Sequence, residues 1–172
     1  MAISYPFSLK QYNVYPNAGG ALIGVADVVM PKLMFVKDTI SGAGIAGSLS
    51  VPVMGNVQPM QCTINWHVNS VPAFALFQGN GQQVRIMSDV YNFNNASGLF
   101  SDVAEEVVMT LFSSEHDLGK REASVKAIVS QVYDVTFLLV VFQGKTMWQI
   151  DPMSDVCVLN GVDVNVGARA NT

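Results

Sequence analysis

Charged side chains are scarce in this chain. Asp, Glu, Lys and Arg make up 13% of its 172 residues, about half of the ~25% usual for a soluble domain. Nine Lys and Arg stand against 13 Asp and Glu, for a formal net charge of −4, and the cations are scattered singly. Tight binding to a nucleic-acid backbone needs clustered cations, so none is expected. A membrane helix is missing as well, because it needs a run of ~18 or more apolar residues. The longest candidate, Val135–Phe142, is broken by Thr136 and ends at Gln143-Gly144-Lys145. The opening Met1-Ala2-Ile3-Ser4-Tyr5-Pro6 has neither a basic start nor an apolar core. No secretory signal peptide is expected, and the chain reads as made in a cytoplasm. Two cysteines, Cys62 and Cys157, sit far apart in apolar runs. Buried free thiols suit them better than a disulfide, which the sequence alone leaves open.

Apolar residues are abundant: 50% of the chain, 9% of it aromatic, with a mean hydropathy of +0.33. That composition excludes disorder. A chain of ~150 residues buries roughly two-thirds of its unfolded surface, so residues 1–172 are read as one domain with its own core. So few charges cannot solvate so apolar a monomer. The expectation is a chain that buries surface against other protein chains.

Strand signals dominate. From Gln61 to Val68 the residues alternate, with Gln61, Thr63, Asn65 and His67 on one side and Cys62, Ile64, Trp66 and Val68 on the other. Period two over such a stretch marks a half-buried strand. Further strand candidates are Ala21–Met30, Val84–Phe93, Val103–Phe112, Ser124–Gln143 and Lys145–Leu159, with a hairpin turn at Gln143-Gly144. One helix is predicted over about 70–78: Asn69 or Ser70 caps it, Pro72 suits its first turn and Gly79 ends it. Its aromatics, Phe74 and Phe77, are read as plugging an open side of a β structure. Between strands lies Lys37-Asp38-Thr39-Ile40-Ser41-Gly42-Ala43-Gly44-Ile45-Ala46-Gly47-Ser48-Leu49. Each glycine costs about 0.5–1 kcal/mol more to order than alanine, and a polar linker has no use for isoleucines. This loop needs a partner surface.

No catalytic or metal site emerges, and neither an enzyme activity nor a cofactor is expected. Gly42-x-Gly44-x-x-Gly47 formally matches a dinucleotide fingerprint, but Ser48-Leu49-Ser50-Val51-Pro52 cannot open the helix it requires. His116 lies in Ser113-Ser114-Glu115-His116-Asp117, read as a polar turn; contiguous residues cannot fold onto themselves as a catalytic relay. His67 continues a polar strand face. Glu105 and Glu106 point to opposite faces of a strand and make a poor acid–base pair. Two histidines and two separated cysteines match no zinc spacing. Of the nine methionines, Met30, Met34, Met87, Met109 and Met147 fall in strand runs and are assigned to core or subunit packing.

An ordered set of short motifs nevertheless stands out: Met30-Pro31-Lys32-Leu33, Gly42-Ala43-Gly44-Ile45-Ala46-Gly47, Glu106-Val107-Val108-Met109, Asp117-Leu118-Gly119, Gln149-Ile150-Asp151 and Asn160-Gly161-Val162-Asp163. In this order and spacing they resemble the major tail tube protein of contractile-tailed bacteriophages and related tailocins, from about Leu9 to Asp163. The sequence departs from that pattern in the charge-poor Met34-Phe35-Val36 and in a small, polar C-terminal tail, residues 164–172.

The resemblance implies a mainly β fold: a tail-tube-type β-barrel or sandwich with one short flanking α-helix and a long extended hairpin with its loop at about 37–50. It implies hexameric rings stacked into the inner tube of a contractile tail, the conduit for DNA ejection. The alternative is the tube of a tailocin or a type VI secretion-like injection system. Implied partners are further copies of the chain, a tail sheath protein outside, tape measure protein and DNA passing through the lumen, and baseplate and tail terminator proteins at the ends, with no membrane binding. The implied location is the virion tail, assembled in the bacterial host cytoplasm. Ile40, Ile45 and Leu49 would anchor the inter-ring loop, with Gly42, Gly44, Ala46 and Gly47 permitting close approach. Gln61, Thr63, Asn65 and His67 would face the lumen.

Overall fold

Alternation in the sequence becomes alternation in burial. In β5 (Met60–Trp66) the residues Met60, Cys62, Ile64 and Trp66 are buried, while Gln61, Thr63 and Asn65 point outward. The structure, a computed structural model, describes residues 4–16, 22–24, 26–44, 46–67, 70–120 and 128–170. The remaining strands are β1 (Ser4–Pro16), β2 (Ala26–Val29), β3 (Phe35–Ser41), β4 (Ser48–Val57), β6 (Gln82–Asn94), β7 (Phe100–Asp117), β8 (Val129–Phe142), β9 (Lys145–Asp151), β10 (Val156–Leu159) and β11 (Val162–Asp163). Two helices complete the chain, α1 (Val71–Leu76) and α2 (Val166–Arg169). The architecture is mainly β and antiparallel.

One sheet runs β1-β6-β7-β8-β9-β10-β11, and β5 joins it by pairing with both β8 and β2. Along one edge, β8 serves two partners in turn: β5 over Val129–Val135 and β9 over Leu138–Phe142. The sheet therefore curls into a barrel of β1, β6, β7, β8, β5 and β2. At one end its seam is closed by Ile23 N–H donating to Val14 O (3.1 Å) and Tyr12 OH donating to Ala26 O (2.6 Å). Val14, Ile64, Trp66, Val84, Met109 and Tyr133 fill the interior. Helix α1 covers the same end: Ala73 and Leu76 enter the core, and Ser70 Oγ caps the helix by accepting from Ala73 N–H (3.2 Å).

Several sequence expectations need correction. Lys145–Leu159 is two strands, because Pro152 and Asp151 make a turn in which Asp151 Oδ1 accepts from Met153 and Ser154 N–H. His116 lies in β7, where the strand continues past a bulge between Ser113 and Glu115 to pair with Gln131. A second helix, α2, follows β11. Of the strand expected over Ala21–Met30, residues 26–29 form β2 and 22–24 do not, while Ala21 and Val25 lie outside the described residues; Met30 and Met34 lie outside strands and are exposed. Met109 alone of the five singled-out methionines belongs to the core cluster. Ile45, Val68, Asn69 and residues 124–127, 171 and 172, on which parts of the reading fell, lie outside the described residues. The cysteines are both free and buried. Burial pushes the Cys62 thiol up to about 12, so it stays protonated and packs as an apolar group.

Candidate functional site

Strands β3 and β4 form a two-stranded sheet of their own. Its base is tied down: Gln58 N–H donates to Met34 O (2.8 Å), and Phe35 and Val57 pack on the core cluster. Beyond that base it projects as an arm exposed on both faces. Register sorts its side chains. Ile40 pairs with Leu49 and Asp38 with Val51, so Ile40, Leu49, Val51 and Val53 share one face with a single charge, Asp38, among them. Lys37, Thr39, Ser41, Ser48, Ser50 and Pro52 occupy the other. Ile40 is 49% exposed and Leu49 56%. At the tip, Gly44 and Gly47 take φ of +96° and +114°, the left-handed region that favours glycine, and a Cβ on either would meet nothing. Among the described residues none dictates their smallness by contact; the turn does so by conformation.

A second surface lies on the outer face of β2, β5, β8 and the end of β7. Cross-strand pairing sets Asp27 beside Asn65, Asp134 beside Gln61 and Ser130 beside Asn65, with Asp117 next to Ser130 and Glu115 next to Val132. Gln61 Nε2 donates to Asp134 Oδ1 (3.1 Å), and His67 Nε2 lies 2.9 Å from Asp27 Oδ2. This face carries Asp27, Glu115, Asp117 and Asp134 but no Lys or Arg among the described residues. It is polar and acidic, flanked by the exposed Val29 and Phe112.

No group of three or more His, Cys, Asp or Glu residues is placed to hold a metal ion among the described residues. No helix among the described residues is long and apolar enough to cross a membrane. What the geometry offers is adhesive: an amphipathic arm, an outer edge of β1 that has no ladder partner among the described residues, and an acidic polar face.

Comparison with known proteins decides the family. The sequence matches the model of the family of phage tail tube protein FII over residues 6–172. The chain belongs to that family. This tail tube protein is a structural component of the tail tube of a phage or phage-like particle. No curated protein matches its sequence. Its fold is similar to that of a chain in a cryo-EM structure of an extracellular contractile injection system, the PVC sheath/tube terminator in the extended state. The TM-score is 0.54 at 14% identity, covering 80% of the tail tube protein and 97% of the other chain.

Against the sequence reading, the structure gathers Ile40, Gly42, Gly44, Ala46, Gly47 and Leu49 on one projecting hairpin, and Gln61, Thr63, Asn65 and His67 on one outward face; Ile45 lies outside the described residues. Sequence reasoning missed Val51 and Val53, although their alternation with Ser50 and Pro52 carried the signal. It also missed the cross-strand acids Asp27 and Asp134, which only register could bring beside Asn65 and Gln61. His116, dismissed as a turn residue, is stacked on Phe74 (5.6 Å between ring centroids) and meets Phe77 edge-on (5.0 Å). It thereby fastens α1 to the barrel.

Proposed function

We propose that this tail tube protein polymerises as stacked hexameric rings into the inner tube of a contractile tail and lines the conduit for DNA ejection. The observation that carries the reading is the arm: an exposed hairpin whose apolar face is left uncovered by its own subunit. Burying such a face on the next ring, and joining free strand edges within a ring, would account for the scarcity of charge. A repeat of identical contacts by rotation and rise is an open, heterologous assembly, which is how one chain makes a filament. Ile40, Ile45 and Leu49 anchor the arm between rings, with Gly42, Gly44, Ala46 and Gly47 at the approach. Gln61, Thr63, Asn65 and His67 line the lumen. Residues 1–172 act as a single tube unit without enzymatic activity. The tail sheath lies outside the tube, tape measure protein and then DNA occupy its lumen, baseplate and terminator proteins close its ends, and assembly takes place in the host cytoplasm.

Negative-stain electron microscopy of the purified protein tests this. Tubes of stacked rings are expected, and persistent monomers would overturn the reading. Single rings would favour a terminator, a second reading to which the fold likeness lends support, since terminators cap a tube instead of extending it. The same tube could serve a tailocin or type VI-like particle that carries no DNA.

The acidic lumen bears on that choice. Acidic groups do not attract phosphates, so a duplex would slide past without adsorbing. Replacing Gln61, Thr63 and Asn65 together by Lys is expected to leave tubes intact while slowing genome release severalfold in ~50 mM salt. Added salt should restore the rate, because each phosphate contact weakens as salt rises. Failure of these variants to form tubes would show that the face is a subunit contact.

A further inference from the structure

The arm has one break in register, at its root. Phe35 pairs with Val57, yet the next pair is Lys37 with Pro52, so Val36 on β3 is opposed by Val53, Met54, Gly55 and Asn56 on β4. A bulge of this kind bends a strand pair, and here it divides an anchored base from the exposed blade at residues 37–52. Among the described residues, no hydrogen bond or ion pair joins that blade to the rest of the protein. The blade's direction is therefore set at the bulge.

A polar cluster drawn from the residues flanking β10 and β11 presses on the bulge. Asn165, only 7% exposed, places its side chain where residue 55 would carry a Cβ: such an atom would lie 1.9 Å from Asn165 Oδ1. Gly55 also takes φ of +94°. Asn165 is itself held on two sides. Its Nδ2 donates to Asp155 Oδ1 (2.8 Å), and its backbone N–H donates to Asp163 Oδ1 (3.0 Å). Arg169 completes the cluster, with Nη1 donating to Asp155 O (2.7 Å) and Nη2 pairing with Asp163 Oδ2. A cavity of about 270 Å³, lined by Val36, Gly55, Asp155 and Asn165 among others, lies beside the bulge.

We propose that Asp155, Asp163, Asn165 and Arg169 form a clasp that wedges Asn165 against Gly55 and so presets the direction of the arm for ring stacking. The proposal rests on the arm being the inter-ring contact argued above. Arg169 and Asn165 are positioning residues: they act on the next ring only through the blade. The helix α2 exists to bring Arg169 back over Asp163, one turn after Asn165, whose carbonyl accepts from Arg169 N–H. The Arg169 guanidinium beside Asp163 holds that carboxyl below the usual carboxylate range. Sign follows: the pairing is in place above that range and is lost as pH falls through the lowered value, so neutral pH is where the clasp is closed.

The test compares the full chain with Arg169→Ala, Asn165→Ala and the conservative Arg169→Lys, by hydrogen–deuterium exchange on unassembled protein and by microscopy of tubes. Exchange at residues 53–57 is expected to rise about tenfold in the two alanine variants, with β5–β8 unchanged. The concentration at which tubes form should rise about tenfold alongside, and Arg169→Lys should fall between. Unchanged exchange at 53–57 overturns the clasp, as does faster exchange with unaltered tube formation. A variant lacking Ser41–Ser48, run in parallel, separates the two ideas. If it stacks normally, the arm reading fails, while exchange at 53–57 still decides whether the clasp holds the bulge. Asn165→Ala serves as the second route should Arg169→Ala fail to fold.

Discussion

Replacing Gln131 by Leu is expected to lower the unfolding free energy by about 4 kcal/mol, from a total that is about 5–15 kcal/mol for a typical domain. Gln131 is 1% exposed and uses its whole bonding capacity. Its Oε1 accepts from Trp66 Nε1 and from Tyr133 OH, both at 2.6 Å. Its Nε2 donates to Ala73 O at 3.2 Å and to His116 Nδ1 at 3.1 Å. Because two donors converge on one atom, that atom must be the oxygen, which fixes the amide orientation. The His116 ring nitrogen facing Nε2 is then an acceptor. Leucine would leave two donors and two acceptors stranded beneath α1, each costing roughly 1–3 kcal/mol where burial is complete. Urea denaturation should show the loss directly, and Tm should fall by about 8–16 °C. A change below about 0.5 kcal/mol would mean that α1 is not fastened through this residue.

That network explains why its importance was hard to read. Gln131 sits in a run of β-branched and aromatic residues and alternates in step with Val129 and Tyr133, so its position on the core face was legible. Its partners were not: Trp66, Ala73 and His116 come from three other segments, brought together by the register of β5 and β7 on β8. The same division runs through the whole molecule. Local signals, such as the alternation from Gln61 to Trp66, the Ser70 cap and the Gln143-Gly144 turn, are carried by neighbours in sequence and survive intact. His116 was misread because Ser113-Ser114-Glu115 looks like a turn, yet a bulge absorbs the irregularity and the strand goes on. The clasp was invisible for a further reason. Asn165 and Gly55 are ordinary residues in small, polar contexts, and only the close approach of two distant segments makes either one constrained.

Placing two carboxylates on the apolar face of the arm, Ile40→Asp with Leu49→Asp, is expected to abolish tubes while leaving the subunit folded. Both side chains are about half exposed in the subunit, so folding loses little. Stacking loses more. Burying what remains of an Ile and a Leu is worth roughly 1 kcal/mol each, and an unpaired carboxylate driven into an apolar contact costs several more. Asp is the stringent choice, because its short side chain cannot reach out to water as Lys can. Asp38 already lies on this face beside Val51, so the new charges also repel it. A net penalty of about 4 kcal/mol per arm corresponds to roughly a thousandfold in each contact's association constant. The control carries the same charges on the other face, Thr39→Asp with Ser50→Asp, a directly opposed pair. That variant should still form tubes, with any loss confined to low salt, where exposed charges are least screened. Subunit Tm should fall by no more than about 4 °C in both, because a like-charged pair facing across the two strands costs roughly 0.2–1 kcal/mol. If the Ile40 and Leu49 variant stacks normally, the apolar face is not the ring contact. If both variants lose tubes alike, added charge on the arm suffices, and the amphipathic division of its two faces has no part in stacking.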